Sequence, residues 1–501
     1  MGIGKILSGK NSKKISDEIE SLDNWQDLNN YTAIEGKEFF INGGISGSPV
    51  KTNGRVLVRF VNDKWVVPGS DFNTIKYVNE NQIFRKSPTI ATNTEIFGKN
   101  LTFTFGASPL SYFMDSVGKN SSACTFSVVV KNYTNKVAKY CKFLIPTIST
   151  NNCSYNGKFA KLNEGTETNP NGTWKNITWN QSLTMTPNDI SGSYDYPLLI
   201  ISDRLEIPEG GLEPNKSIAL WFSCIGSGSK EISFVGKSKA AHIPSLFSGG
   251  NFGVGNFCNN DPVLFENIDY GQPASHIIFE YEDTTPIVKI LTIGDSDFAE
   301  SVPVGEPTGD GWCYVASNQC ATSGINWRIT SFAQDGIGYT QFLTRLKSIL
   351  DSDLKNEFDV IAYQAWTGNE YVTSELQYNS FIQKMNEAKS LTTSAGLGFC
   401  TLTLYPACMG QELSSSDQGV REYYENVYSY YNRVYNHMTS GNYDYIDISP
   451  VVTSGIDYSP IDSTDGSHAL IGTSANPIGQ YKQGIALVDP MTRFCNKLGY
   501  I

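Results

Sequence analysis

The run Ile287-Val-Lys-Ile-Leu-Thr-Ile293 leads straight into Gly294-Asp295-Ser296-Asp297, a strand-forming stretch followed by a glycine-led turn. Its near-continuous apolar character is that of a strand buried on both faces. The same unit recurs downstream. Trp327-Arg-Ile-Thr-Ser-Phe332, Phe358-Asp-Val-Ile-Ala-Tyr363, Leu397-Gly-Phe-Cys-Thr-Leu-Thr-Leu-Tyr405 and Tyr443-Asp-Tyr-Ile-Asp-Ile448 read as further strands. Helical patterns fall between and after them, at 311–321, 339–350, 374–390, 419–439 and 479–496. On 419–439 the residues Tyr424, Val427, Tyr431, Val434 and Met438 share one face. Strands alternating with helices predict a five-stranded parallel sheet covered on both faces, a three-layer α/β domain over 285–501. Ligands of such sheets bind beyond the carboxyl ends of the strands.

Upstream the pattern is different. Short β-branched and aromatic runs are separated by Asn, Gly, Ser and Pro turns. Arg55-Val-Leu-Val-Arg-Phe-Val61 turns through Asn62-Asp63 into Trp65-Val-Val. Further runs start at Leu101, Cys124, Lys142, Ser217 and Glu231. They predict a small β module at 31–95 and a β-sandwich at 96–240. A connector is expected at 241–284. Residues 1–30 read as a helical anchor or oligomerisation segment, with Ile15, Ile19, Leu22 and Trp25 at helical spacing.

Composition narrows the function classes. The 501 residues carry 38 Lys and Arg against 50 Asp and Glu, for a net charge of −12. Apolar residues make up 40%, enough to build cores and to exclude a disordered chain. The acidity argues against a nucleic-acid partner, which needs clustered Lys and Arg. No apolar run reaches membrane-spanning length, so membrane insertion is not expected. Met1-Gly-Ile-Gly-Lys-Ile-Leu7 lacks a secretory apolar core, which leads to the expectation of cytoplasmic synthesis. The ten cysteines show no paired motif and read as free buried thiols. His242, His276 and His437 have no ligand spacing around them, so no metal site and no cofactor are expected.

Chemistry-bearing residues follow the strand ends. The first strand leads to Gly294-Asp295-Ser296, the second to Gly336-Ile-Gly338-Tyr339, and the third to Trp366-Thr-Gly368-Asn369-Glu370. Asp465-Gly-Ser-His468 comes after the fifth. Together they supply a hydroxyl, an imidazole, a carboxylate, backbone N–H groups and an amide, the parts needed for acyl transfer. A serine needs a base beside it, and His468 can serve, with Asp465 aimed at its other nitrogen. Trp366 and Tyr339 are candidates for stacking on a sugar ring. The tyrosine-rich run 423–435 reads as a mixture of helix surface and core.

These blocks resemble the SGNH (GDSL-type) hydrolases over 285–501. Gly294-Asp-Ser296, Gly338, Gly368-Asn369 and Asp465-x-x-His468 match the four blocks in order. The resemblance implies Ser296 as nucleophile, His468 as base and Asp465 as its orienting carboxylate. It implies an oxyanion hole from the N–H groups of Ser296 and Gly338 and the Asn369 amide. Three departures stand out. Asp297 replaces an apolar residue, Glu370 closes a block that usually ends in Asp, and Gly336 competes with Gly338. The Gly-x-Ser-x-Gly elbow of the α/β-hydrolases is absent.

A β-rich half joined to such a domain resembles a phage tail spike or receptor-binding protein with an esterase domain. That architecture implies O-deacetylation of a bacterial surface polysaccharide, contact with other tail proteins through the N-terminal region, a homotrimer and residence in the virion. Two alternatives fit the same layout. One is an extracellular cellular carbohydrate esterase with a β-sandwich binding module. The other is a structural virion fibre that binds without turnover. A fragment from 284 to 501 is expected to fold alone.

Overall fold

The computed structural model describes, with their side chains, residues 130–144, 154–162, 174–185, 201–221, 276–298, 310–333, 336–402, 415–448 and 468–500, together with Ser223, Ile225 and Glu300. For other strands between 20 and 254 it describes the backbone. The chain divides into two compact units, Met1–Thr89 and Ile90–Ile501.

The first unit holds one sheet in the order β1-β2-β3-β4. Its strands are β1 (Glu20–Leu22), β2 (Glu38–Asn42), β3 (Arg55–Val61) and β4 (Lys64–Val66). β3 pairs antiparallel with β4, with Val61 opposite Lys64; Asn62 and Asp63, where a turn is expected, lie outside the described residues. The helical segment expected at 1–30 is corrected at 20–22, where the chain pairs parallel to Phe39, Phe40 and Ile41. A two-turn stripe gives an isolated helix too little to bury, whereas an apolar neighbouring strand offers these residues a ladder. The remainder of 1–30 lies outside the described residues.

The second unit begins with two more sheets. Its strands are β5 (Thr94–Gly98), β6 (Ala123–Lys131), β7 (Ala138–Ile148), β8 (Cys153–Lys161), β9 (Lys175–Ile177), β10 (Pro197–Ile201), β11 (Leu205–Glu206), β12 (Ser217–Gly226), β13 (Phe247–Val254) and β14 (His276–Tyr281). One sheet runs β10-β7-β14-β5, with β11 on β7, and the other runs β13-β6-β12-β8-β9. Tyr155, Phe159, Ile218 and Leu220 of the latter share a buried cluster with Cys141, Phe143, Ile277 and Phe279 of the former. The connector expected at 241–284 is corrected. Its β13 extends one sheet beside β6, and β14 lies between β7 and β5 in the other. The runs at Leu101 and Glu231 lie outside the described residues.

The rest of the unit alternates strand and helix: β15 (Val288–Ile293), α1 (Trp312–Thr322), β16 (Trp327–Ser331), α2 (Tyr339–Asp351), β17 (Val360–Gln364), α3 (Glu375–Ser394), β18 (Gly398–Thr403), α4 (Gln418–His437), β19 (Tyr445–Asp447) and α5 (Gly479–Leu498). All neighbouring strands are parallel, in the order β16-β15-β17-β18-β19. This is a doubly wound 2-1-3-4-5 sheet. Strand alternation sorts the two faces. Leu291, Ile293, Ile361 and Tyr363 pack with Phe342 of α2, Phe381 of α3 and Val427 of α4. Ile290, Val360, Ala362 and Leu402 pack with Trp312 of α1 and Leu487 of α5.

A buried charge pair fixes the register of the two central strands. Lys289 and Asp359 are 3% and 2% exposed, and Nζ lies 3.6 Å from Oδ2. The same carboxylate accepts the Lys289 N–H at 2.8 Å. A buried pair of this kind serves specificity more than net stability. Here it locks β15 beside β17, so that Ile293 pairs with Tyr363 and Gly294 falls next to Gln364.

Cys141, Cys313, Cys320, Cys400 and Cys495 are free and buried. Among the described residues, no helix is long and apolar enough to cross a membrane.

Candidate active site

The turn after β15 is built around a buried carboxylate. A Cβ on Gly294 would come within 2.3 Å of Gln364 Oε1 and 2.6 Å of Phe298 Cγ, so only glycine fits. Asp295, 1% exposed, turns inward. Its N–H donates to Gln364 Oε1 at 2.7 Å, and Gln364 Nε2 donates back to Oδ1 at 3.0 Å. Thr367 Oγ1 donates to Oδ2 at 2.5 Å, the Asp297 N–H to Oδ1 at 3.1 Å, and Asn369 Nδ2 to Oδ2 at 3.4 Å. Burial pushes the Asp295 carboxyl above the usual carboxylate range, while these donors and the charge of His468 act the other way. With Asp295 pointing in, Ser296 and Asp297 are left partly exposed at the carboxyl edge of the sheet.

The second block starts α2. Gly338 is its N-cap, and its N–H donates to Gln341 Oε1 at 3.1 Å, the half of a capping box that a glycine can form. A Cβ on Gly338 would meet Glu370 Oε2 at 2.3 Å. Glu370 accepts from Thr340 N–H at 3.2 Å and from Thr340 Oγ1 at 3.1 Å, a carboxylate at a helix N-terminus. Asn369 is exposed, with Nδ2 also 3.3 Å from Ile337 O. Gly336, the competing glycine, is exposed and left-handed at φ 74°.

His468 is half-buried. The segment that follows it is tied to the start of α5. Gln480 N–H donates to Leu470 O at 2.7 Å, Tyr481 N–H to Ile471 O at 2.9 Å, and Gln480 Nε2 to Ala469 O at 3.3 Å. A protonated imidazole at His468 would favour the ionised form of the Asp295 carboxyl. Asp465 lies outside the described residues.

Gln364, Thr367 and Asn369 thus converge on Asp295, the residue before Ser296. Gln364 and Thr367 escaped the sequence reading. The only signal was a polar residue ending an otherwise apolar strand. Trp366 and Tyr339 need correction as sugar-stacking rings, since each is only 3% exposed. Trp366 packs edge-on against Tyr431 at 5.1 Å, and Tyr339 against Phe381 at 5.0 Å. Helices α3 and α4 cover both rings, a packing that residue type alone does not reveal. Among the described residues, no group of three or more His, Cys, Asp or Glu side chains could hold a metal ion.

A half-exposed serine on a tight turn at the carboxyl edge of a doubly wound sheet, with an amide and an imidazole nearby, can support nucleophilic acyl transfer. No protein-family profile matches the sequence, and no curated protein matches it. Solved structures similar to it include a GDSL-like lipase from Bacteroides thetaiotaomicron, 13% identical, covering 42% of this chain and 86% of that one at a TM-score of 0.27. A lipase/acylhydrolase from Enterococcus faecalis is 14% identical, with coverage of 42% and 96% and a TM-score of 0.28. A variant of an acetyl-xylooligosaccharide esterase from Geobacillus is 13% identical, with coverage of 43% and 95% and a TM-score of 0.26.

Proposed function

We propose that the α/β domain is an SGNH-type serine esterase that removes O-acetyl groups from a bacterial surface polysaccharide. One observation carries the reading. The loop bearing Ser296 is anchored by Asp295, and the Asn369 amide bonds that same carboxylate. On this reading Ser296 Oγ attacks the ester carbonyl carbon while His468 takes its proton. Asp465 orients the imidazole. The oxyanion is met by the N–H groups of Ser296 and Gly338 and by the Asn369 amide. Gly338 becomes available when the half-buried Gln341 side chain swings away, at a cost of about 1 kcal/mol. Collapse expels the sugar oxygen, which His468 protonates. Water, activated by the same base, then releases acetate and restores Ser296.

The residues tied to the Ser296 loop include the polar Asp297 and Asn369, which suits a carbohydrate ester better than a fatty acyl chain. On the sequence layout alone, we place this activity in a homotrimeric phage tail spike whose N-terminal region contacts other tail proteins. The two facing sheets of 90–284 then act as its β-sandwich.

Ser296→Ala tests the assignment. Hydrolysis of p-nitrophenyl acetate should fall by a factor on the order of 10³ or more with thermal unfolding unchanged. Retention of a tenth of the wild-type rate would remove Ser296 as nucleophile. Acyl length tests the substrate class. kcat/KM should peak at acetyl and drop by butyryl. A lipid site would instead gain about 0.8 kcal/mol per buried methylene, and a rise through octanoyl would overturn the deacetylase reading.

A further inference from the structure

His276 opens β14 and is fully buried, with Nε2 at 2.9 Å from Ser331 O. A carbonyl only accepts, so Nε2 carries the proton and Nδ1 is a bare acceptor. No partner meets Nδ1 among the described residues. Burial pushes the imidazole pKa down to about 4, keeping the ring neutral.

Ser331 ends β16 and faces two ways. Its carbonyl accepts the histidine Nε2–H, while its hydroxyl donates to Phe298 O at 2.7 Å and accepts the Ala333 N–H at 3.2 Å. Phe298 closes the nucleophile loop. Its ring lies against Gly294 and packs edge-on against Trp312 at 5.5 Å. A continuous path therefore runs from β14 through Ser331 to the loop that carries Ser296.

The surrounding contacts keep this path in place. Leu144 of β7 and Ile278 of β14 belong to the same core as Leu291, Ile293 and Phe332. Lys142 Nζ reaches Glu357 Oε1 at 2.7 Å. Tyr133 packs edge-on against Tyr314 of α1 at 5.4 Å.

We propose that His276 is a positioning residue: acting through Ser331, it fixes the loop 294–298 and the aim of Ser296, which makes the β region a working half of the catalytic unit. The inference rests on Ser296 being the nucleophile.

Full-length wild type, His276→Leu, His276→Gln and Ser331→Ala are treated with a fluorophosphonate that labels reactive serines, and assayed on p-nitrophenyl acetate. Leu keeps bulk without a donor, and Gln supplies one in a similar place. Misplacing a reacting group by about 1 Å costs up to a hundredfold. His276→Leu and Ser331→Ala should therefore lose roughly tenfold or more in labelling rate and kcat, with KM unchanged and final labelling still stoichiometric. His276→Gln should recover most of the rate.

A His276→Leu protein that labels as fast as wild type overturns the inference alone. So does a reduced labelled fraction at an unchanged rate, the signature of a merely structural role. If His276→Leu does not fold, Ser331→Ala decides on the same criteria. Wild-type protein that takes no label at Ser296 overturns the nucleophile assignment and this inference together.

Discussion

Replacing Gln364 with leucine removes the side chain that clasps Asp295 from two directions. The Nε2 donor to Oδ1, at 3.0 Å, is a bond to a charged group, worth about 1.5–3 kcal/mol. Loss of the Oε1 acceptor orphans the buried Asp295 N–H, now bonded at 2.7 Å, at a further cost of about 1–3 kcal/mol. Both partners are 1% exposed, so solvent offers little compensation. Together they come to about 2.5–6 kcal/mol, a large part of the ~5–15 kcal/mol that holds a typical domain. Urea unfolding of the full chain at pH 7, followed by fluorescence and circular dichroism, measures it. Gln364→Glu sharpens the test, because it places a second carboxyl against Asp295. The pair must then hold a proton, so the deficit relative to wild type should shrink as the pH is lowered. A Gln364→Leu loss below about 1 kcal/mol would refute the argument, showing that Asp295 is satisfied without its clasp.

Two further outcomes follow from the same structure. A fragment from 284 to 501, expected from sequence to fold alone, should be insoluble, because it strips Leu144 and Ile278 from the core; sedimentation should show 90–501 soluble and the shorter piece aggregated. His276 titrates near 4 when folded against 6.5 when free, so the unfolded chain binds more protons in that interval and stability falls as pH drops from 6.5 towards 4. About 2 kcal/mol of the loss between pH 7 and pH 5 belongs to this group. It should be missing in His276→Gln, and equal pH slopes for the two proteins in urea titrations would contradict it.

The α/β domain was legible because its cues are local. β15 is apolar throughout, and Val427, Tyr431 and Val434 repeat at helical spacing and are buried. The β13 stretch Phe-Ser-Gly-Gly-Asn-Phe-Gly-Val looks like a loop and becomes a strand by pairing with β6, across an irregularity at Ser248. Glu20-Ser-Leu likewise takes its conformation from a partner nearly twenty residues away. At the site, the blocks around Ser296 and Asn369 each announce themselves in a few residues. Gln364 does not, because its role depends on which residue of β15 lies opposite it. The aromatic residues misled for the mirror reason. Ring chemistry suits both a sugar and a core, and the helices packed above Trp366 and Tyr339 settle which one applies.

At rest, the Gly338 N–H already has a neutral acceptor, the Gln341 amide. On the proposed reading, an arriving ester must compete with that resident group. A neutral ester carbonyl exchanges one ordinary hydrogen bond for another and gains almost nothing from the trade. An oxyanion brings a charged acceptor, whose bonds are about twice as strong, and wins the contest. On that proposed reading the resident amide is a built-in competitor that discriminates between the two states of the substrate, leaving the ground state loosely held and reserving the donor for the transition state.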